Sequence, residues 1–248
     1  MKGSASRVRA VFKREWNSYF HSPVAYVFMM IFLALIAFFT FAVSGFYEAG
    51  QADLRSFFTW HPWLYLLLIP AAAMRLWSEE RRSGTLELLL TLPLTVTDAI
   101  LGKFLAAWLF LLLSLALTFP VVLTVFYLGS PDPGPIATGY LASALLAGAY
   151  LAVGCFTSAL TRNQVISFIL SVVVGLFLIL AGYPPVTDLL SKVASARVVE
   201  GIAALGFIPH FETLQRGVVE GGDLAYFAAV MAAMLLATGI ILRNRARK

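Results

Sequence analysis

The sequence has few charged residues and a single cysteine. Asp, Glu, Lys and Arg make up 12% of the 248 residues, whereas hydrophobic residues make up 60% and the mean hydropathy is +0.85. Because soluble domains carry about 25% charged residues, this composition excludes an ordinary soluble fold and indicates a membrane protein. The lone Cys155 excludes an intrachain disulfide and a metal cluster built on cysteines.

Long runs of hydrophobic residues without charged residues recur along the sequence. A bilayer core of about 30 Å needs roughly 20 apolar residues per helix. Six segments qualify, at about 24–46, 60–74, 104–128, 136–160, 165–183 and 225–242, the second of them short. The runs do not alternate with polar residues, which favours helices over barrel strands. The predicted fold is all-α: one polytopic membrane domain over residues 1–248 with six transmembrane helices.

The six predicted spans contain no Asp, Glu, Lys, Arg, Asn or Gln. Such residues usually mark ion sites and proton relays in pumps and secondary carriers. Their absence disfavours a channel or an ion-driven carrier, so energy for transport should come from elsewhere. His61 is the titratable exception, and its neighbours Trp60, Trp63 and Tyr65 predict an aromatic anchor at the outer membrane boundary.

Basic residues indicate the orientation. With both termini in the cytosol, 14 of the 18 Lys and Arg residues lie on the cytoplasmic side and eight of the 13 acidic residues lie outside. Basic residues are retained in the cytosol, so the sequence predicts this topology. The net charge of +5 then reflects topology and attraction to anionic lipid, and no nucleic-acid recognition motif accompanies it.

Residues 5–20 predict a basic amphipathic helix that lies on the inner leaflet, and His21-Ser22-Pro23 breaks it. Its apolar face comprises Val8, Val11, Phe12, Trp16 and Tyr19, and its basic face comprises Arg7, Arg9, Lys13 and Arg14. We expect it to anchor the chain in membrane lipid, with direct contact to a soluble partner as the alternative.

Small residues recur at one-turn spacing in two of the predicted spans. Ala144, Gly148 and Ala152 lie in the fourth span, and Ala225, Ala229, Ala233 and Ala237 lie in the sixth. Such ladders let helix backbones approach closely. They predict packing inside the bundle, and an interface with a second subunit is the alternative.

Residues 75–103 form a charged insert between two apolar runs. Glu79, Glu80, Arg81 and Arg82 form a charge cluster, and Ser83-Gly84-Thr85 allows a turn. A short helix should follow, with Leu86, Leu89 and Leu90 on one face and Pro93 as its stop. Thr95 and Asp98 then predict a capping box that starts the helix running into the third span. A short helix tied to two membrane helices would move both when pushed.

The chain has no sequence for hydrolysing ATP. The Gly-Lys pair at Gly102-Lys103 is followed by Phe104, and Thr97 stands where a phosphate-binding loop needs glycine. Its three histidines are far apart, and no catalytic triad or paired carboxylates are recognisable. We therefore expect a non-catalytic protein that binds no cofactor itself.

The order and spacing of several motifs resemble a known family. The run Glu79-Glu80-Arg81-Arg82-Ser83-Gly84-Thr85-Leu86-Glu87-Leu88-Leu89, with Leu92-Pro93 and Ile100-Leu101-Gly102-Lys103, resembles the first cytoplasmic loop of ABC-2 type permeases. These are the membrane subunits of a class of ATP-binding-cassette exporters. Phe12-Lys13-Arg14-Glu15, Pro62-Trp63, Thr161-Arg162-Asn163-Gln164 and His210-Phe211-Glu212 resemble the branch named for gliding motility.

The resemblance implies roles for particular segments. Residues 1–23 would be the elbow helix, with Phe12, Lys13, Arg14 and Trp16 as its characteristic residues. Residues 75–103 would be the cytosolic coupling loop, and 184–224 an extracytoplasmic segment with short re-entrant helices. The coupling helix, Ser83–Pro93, would seat in a groove of the ATPase. The residues implied in coupling to the ATPase are Glu79, Glu80, Arg81, Gly84, Thr85, Leu86, Glu87, Leu89, Leu90 and Pro93.

The family also implies partners and a location. These are a cytosolic ABC ATPase that binds ATP and Mg²⁺, and a second permease, either another copy or a related subunit with a large outer domain. The membrane would be the bacterial inner membrane. The implied function is export powered by that ATPase, and the alternative is a mechanotransmission complex that drives a periplasmic partner and moves no solute.

Overall fold

The computed structural model describes residues 3–48, 50, 52–86 and 94–246. Helices account for 83% of the structure, and no strand occurs in these ranges. The helices are α1 Ser4–His21, α2 Pro23–Phe38 with a following π-helical turn Phe39–Val43, α3 Arg55–Thr59, α4 His61–Ala73, α5 Arg75–Ser83, α6 Val96–Ala116 and α7 Phe119–Leu128. They continue with α8 Pro133–Leu160, α9 Gln164–Ala181, α10 Pro184–Leu190, α11 Ala196–Ala203, α12 Phe207–Gln215 and α13 Gly221–Ala246. The all-α prediction is confirmed.

Five helical segments of the described ranges are long and apolar enough to cross a membrane. They are Pro23–Val43, Val96–Leu128, Pro133–Leu160, Gln164–Ala181 and Gly221–Asn244. The other predicted span, 60–74, corresponds to α4, which has 13 residues and a length of about 20 Å. That length is less than the bilayer core, and the chain continues at once into α5.

Local polar side chains set the starts of several membrane helices. The Ser22 hydroxyl accepts a hydrogen bond from Val24 N at 3.3 Å, and Asp132 Oδ1 accepts one from Gly134 N at 2.8 Å. Asn163 Oδ1 accepts one from Val165 N at 2.9 Å. Each satisfies a backbone donor that a helix start leaves without a partner.

A break divides the third predicted span. Helix α6 ends at Ala116 and α7 starts at Phe119, with Pro120 in the first turn of α7. Proline lacks the backbone donor that a continuous helix needs there, which accounts for the break. The Thr118 hydroxyl lies at the break, 2.6 Å from Leu115 O and 2.8 Å from the Tyr140 hydroxyl of α8.

Helix α8 is the centre of the bundle. In its most apolar stretch of 18 residues, 67% of the residues are buried. Helix α8 packs against α4, α5, α6, α9, α12 and α13. A Cβ added to Gly148 would lie 2.6 Å from Met231 Sδ of α13 and 3.1 Å from the Trp108 ring, so side chains of two other helices pack directly against this glycine. Ala152 is fully buried. The ladder in this helix therefore packs inside the bundle.

The ladder in α13 is placed differently. Ala225, Ala229 and Ala233 are exposed, and only 11% of the most apolar window of α13 is buried. The expectation that both ladders pack within the bundle is thus wrong for α13. The reason is that α13 contacts the other helices through a different stripe, which includes Phe227 and Thr238.

The bundle has two contrasting ends. We call the end formed by α1, α5 and the start of α6 the near end. We call the opposite end, formed by α3, the start of α4 and α12, the far end. At the far end Gln215 Nε2 donates to Arg55 O at 3.2 Å, which ties α12 to α3. The segment 184–224 holds three short helices, as expected, and their depth in the membrane stays a prediction.

His61 is not an anchor at the membrane boundary. Its side chain is fully buried, with ring-centroid distances of 4.6 Å to Phe57, 5.6 Å to Phe58 and 5.3 Å to Tyr65. The prediction from aromatic neighbours was wrong because Phe57 and Tyr65, one helical turn before and after His61, enclose the imidazole together with Phe32 of α2, whose ring centroid lies 6.3 Å away.

Candidate coupling site at the near end

Helix α5 forms the first half of the charged insert. One of its faces is buried through Leu76, Trp77 and Arg81. The helix stops at Gly84, whose φ of 74° lies in the left-handed region that glycine adopts without strain. Thr85 follows as an exposed residue. The turn predicted at 83–85 is therefore confirmed.

Hydrogen bonds fasten α5 to the end of α8. The backbone N–H groups of Trp77 and Ser78 both donate to Ser158 Oγ at 3.0 Å. The Arg81 guanidinium donates to Ala159 O at 2.7 Å. The last carbonyls of a helix have no partner within it and carry partial negative charge, so a buried arginine satisfies both needs. The start of the insert is thus fixed to the central helix.

A buried ion cluster joins three helices. Lys103 Nζ of α6 lies 2.8 Å from Glu80 Oε1 of α5 and 3.1 Å from Glu15 Oε1 of α1. It also lies 5.4 Å from the centroid of the Trp77 ring. The lysine side chain is only 5% exposed. Because so little water reaches it, the ammonium depends on these carboxylates.

The charge of Glu15 is matched to this cluster. Burial would raise its pKa, but the positive charge of Lys103 and hydrogen bonds from Arg14 and Lys103 outweigh that effect. The pKa of Glu15 is therefore lowered from its ordinary 4.5, and the side chain stays ionised at neutral pH.

Asp98 makes a second link between α1 and α6. Its backbone N–H and carboxylate form the predicted capping box with Thr95, both bonds being 3.1 Å. The same carboxylate accepts hydrogen bonds from Arg7 Nε at 2.7 Å and from the Ser4 hydroxyl. Arg7 therefore points at α6 and does not lie on the outward basic face with Arg9. One buried carboxylate starts α6 and holds α1 against it.

Close backbone approach reinforces both links. A Cβ added to Gly102 would lie 2.6 Å from the Cβ of Val11 in α1. Val11 is the buried residue of α1, and Gly102 is buried on α6. The glycine is thus needed to let the two helices touch.

The structure places the predicted coupling residues in different surroundings. Glu79 is exposed and accepts a hydrogen bond from Gln164 Nε2, whereas Glu80 belongs to the ion cluster. Arg81 is bonded within the chain, and Leu86 is buried. Gly84 and Thr85 are exposed. Glu87, Leu89, Leu90 and Pro93 lie outside the described residues, and contact of any of these residues with an ATPase stays a prediction.

The elbow residues are also divided between two surroundings. Phe12 and Trp16 are half-buried, with parallel rings 6.1 Å apart. Lys13 and Arg14 are exposed, and Arg14 contacts Glu15 at 2.7 Å. This pattern agrees with an amphipathic helix, part of whose apolar face packs on α6.

Sequence reasoning missed Lys103 as a site residue. It placed Lys103 at the end of the charged insert and within a motif, noted Asp98 only as a cap and named Glu15 only within a motif. A lysine two turns inside an apolar helix, with acidic residues in both preceding segments, was the available signal.

A family model described as "ABC-2 family transporter protein" matches residues 56–198. The match covers more than half of the chain and includes α5, the insert and α6 to α9. No curated protein matches the sequence. Five helical segments of the described residues are long and apolar enough to cross a bilayer, which makes the protein a multi-pass integral membrane protein. Because the family model covers more than half of its length, the chain belongs to the ABC-2 transporter family and is a permease.

Proposed function

We propose that a separate cytosolic ATPase drives this permease and binds the segment beginning at Ser83. The observation that carries the proposal is the ion cluster at the near end. Helix α5 leads into that segment, and its Glu80 contacts the ammonium of Lys103 in α6. The same ammonium contacts Glu15 of α1, so Lys103 links all three helices. Arg81 joins α5 to α8.

These links suit the transmission of force. Charged hydrogen bonds are directional, so helices joined by them move together more readily than they slide past one another. Displacement of the segment after Ser83 would move α5, and with it α1, α6 and α8. In this proposal the energy comes from ATP and Mg²⁺ bound by the partner, which agrees with a family whose members are generally non-catalytic membrane subunits.

The proposed setting is the inner membrane of a bacterium, with both termini in the cytosol and α1 as the elbow helix. A second permease completes the dimer, either another copy or a related subunit with a large outer domain. The motif similarity supports membership of the gliding-motility branch. ATP-dependent translocation of a solute would distinguish export from mechanotransmission onto a periplasmic partner.

The proposal predicts that replacing both Glu87 and Leu89 with alanine removes the ATPase. We expect capture of the co-expressed ATPase to fall at least about tenfold, because a lost charged contact alone is worth roughly 1.5–3 kcal/mol. Membrane insertion should be unchanged. The matched control replaces Val219 and Glu220, an exposed apolar and acidic pair beside the far end, and should capture the ATPase normally.

Two results would contradict the proposal. One is undiminished capture by the Glu87 and Leu89 double variant. The other comes from cysteine labelling, for which buried Cys155 gives little background. Exposed Ser83→Cys should react with an impermeant maleimide only in inverted vesicles, and exposed Ser191→Cys only in intact spheroplasts. The opposite pattern would place the insert outside the cytosol.

A further inference from the structure

A cavity of about 400 Å³ opens at the near end between α1, α2, α4 and the start of α5. Phe28, Ile31 and Leu68 form part of its apolar wall. Arg75 and Lys103 lie at its polar part. The volume falls within the roughly 300–1,000 Å³ typical of pockets for small molecules.

The apolar part of the cavity reaches the outer surface of the bundle. Val24, Val27 and Ile31 line it, and they are 53%, 46% and 44% exposed. All three belong to α2, which begins a membrane-spanning segment. The mouth of the cavity therefore faces the acyl chains of the surrounding bilayer, so an occupant enters sideways from the membrane.

The polar part carries one positive charge that no described residue neutralises. The ammonium of Lys103 is matched by Glu15 and Glu80. Arg75, the first residue of α5, is exposed and makes no ion pair within the described residues. A guanidinium in this position suits a phosphate group, which it binds through two parallel hydrogen bonds.

We propose that this cavity is a binding site for a phospholipid of the near-end leaflet. The lipid phosphate binds Arg75, and an acyl chain lies against Phe28, Ile31 and Leu68. The site combines a lateral opening with an unmatched cation at the boundary of a membrane helix. It lies within one chain and does not depend on the ATPase. Because Glu15 and Lys103 also line it, the bound lipid would touch the ion cluster.

The test uses full-length protein in detergent that has been stripped of lipid. Dioleoyl phosphatidylglycerol is added, and binding is followed by native mass spectrometry and thermal shift. We expect one tightly bound lipid per chain, and about a tenfold or greater loss of affinity in Arg75→Gln, because losing even one of the two charged hydrogen bonds has an effect of this size. Arg82→Gln is the matched control, since Arg82 is exposed on the same helix but does not line the cavity.

Two further arms identify the ligand. Dioleoylglycerol, which lacks the phosphate, and inorganic phosphate, which lacks the chains, should each bind at least about tenfold more weakly. Ala72→Phe places a ring in the cavity and should abolish lipid binding while Arg75 is intact. Unchanged affinity in Arg75→Gln or Ala72→Phe, or equal stabilisation by either fragment, would overturn the proposal.

Discussion

The near and far ends of the bundle are held together by different interactions. At the near end, Lys103 and Asp98 are buried and charged, and each contacts groups from a distant part of the chain. At the far end, His61 is buried among aromatic rings, and one polar contact, His210 Nδ1 to buried Asp223 Oδ1 at 2.6 Å, joins α12 to the start of α13. The near end joins three helices through one shared ammonium, whereas the surroundings of His61 depend on aromatic packing.

The difference has a mechanical meaning. A charged hydrogen bond fixes both the distance and the direction of its partners, and removing one partner leaves a buried charge. Apolar packing is less directional and tolerates a swap of similar volume. We infer that the near end keeps one arrangement of α1, α5 and α6, whereas the far end accepts changes in its side chains more easily.

The largest effect is expected for Lys103→Met at the near end. The methionine keeps most of the volume but removes the ammonium that Glu15 and Glu80 share, leaving only the exposed Arg14, 2.7 Å from Glu15 and 3.8 Å from Glu80, near these partly buried carboxylates. Breaking a buried pair costs about 3–5 kcal/mol, which is the upper bound here. Chemical unfolding in detergent micelles measures the loss.

Two variants control this experiment. Lys13→Met removes an exposed lysine of α1 and should change stability by less than about 0.5 kcal/mol. Adding Glu15→Gln and Glu80→Gln to Lys103→Met removes the unmatched charges and should restore much of the loss. Wild-type stability in Lys103→Met would show that the cluster does not hold the near end.

An intermediate effect is expected for Gly102→Ala. The added Cβ meets Val11 at 2.6 Å, and both residues lie in packed helices, so α1 must shift. Overpacking of this kind costs about 1–3 kcal/mol. Gly201→Ala is the control, because nothing lies within 4 Å of the new Cβ on α11, and alanine there should stabilise by up to about 1 kcal/mol. Equal behaviour of the two variants would contradict direct contact between α1 and α6.

Features that depend on neighbours in sequence were predictable. The capping box of Thr95 and Asp98 involves residues three apart, and the break near Pro120 follows from a missing backbone donor. The apolar runs likewise gave the membrane helices, although α4 proved shorter than a full crossing. In each case the cause lies within one or two helical turns.

The long-range partners were not predictable. Glu79 and Glu80 are adjacent, yet Glu79 faces solvent while Glu80 meets Lys103. Arg81 and Arg82 divide in the same way, with Arg81 on Ala159 O and Arg82 exposed. A rotation of about 100° per residue separates neighbours on a helix. Which one turns inward depends on where α6 and α8 pack, and a single sequence does not contain that information.

The smallest effect is expected for His61→Phe at the far end. The imidazole has one hydrogen bond, from Nδ1 to Phe57 O at 3.1 Å, and its buried Nε2 has no partner among the described residues. Phenylalanine loses the hydrogen bond to Phe57 O, but it also removes the buried Nε2 atom that lacks a described hydrogen-bond partner. Its ring also packs well among the surrounding aromatic rings. We expect a change within about 1 kcal/mol. Lys103→Met is the same kind of polar-to-apolar swap at the other end and should cost several times more. A loss above about 2 kcal/mol in His61→Phe would mean that the aromatic packing around His61 depends on a specific polar contact, as the near end does, and the contrast between the two regions would fail.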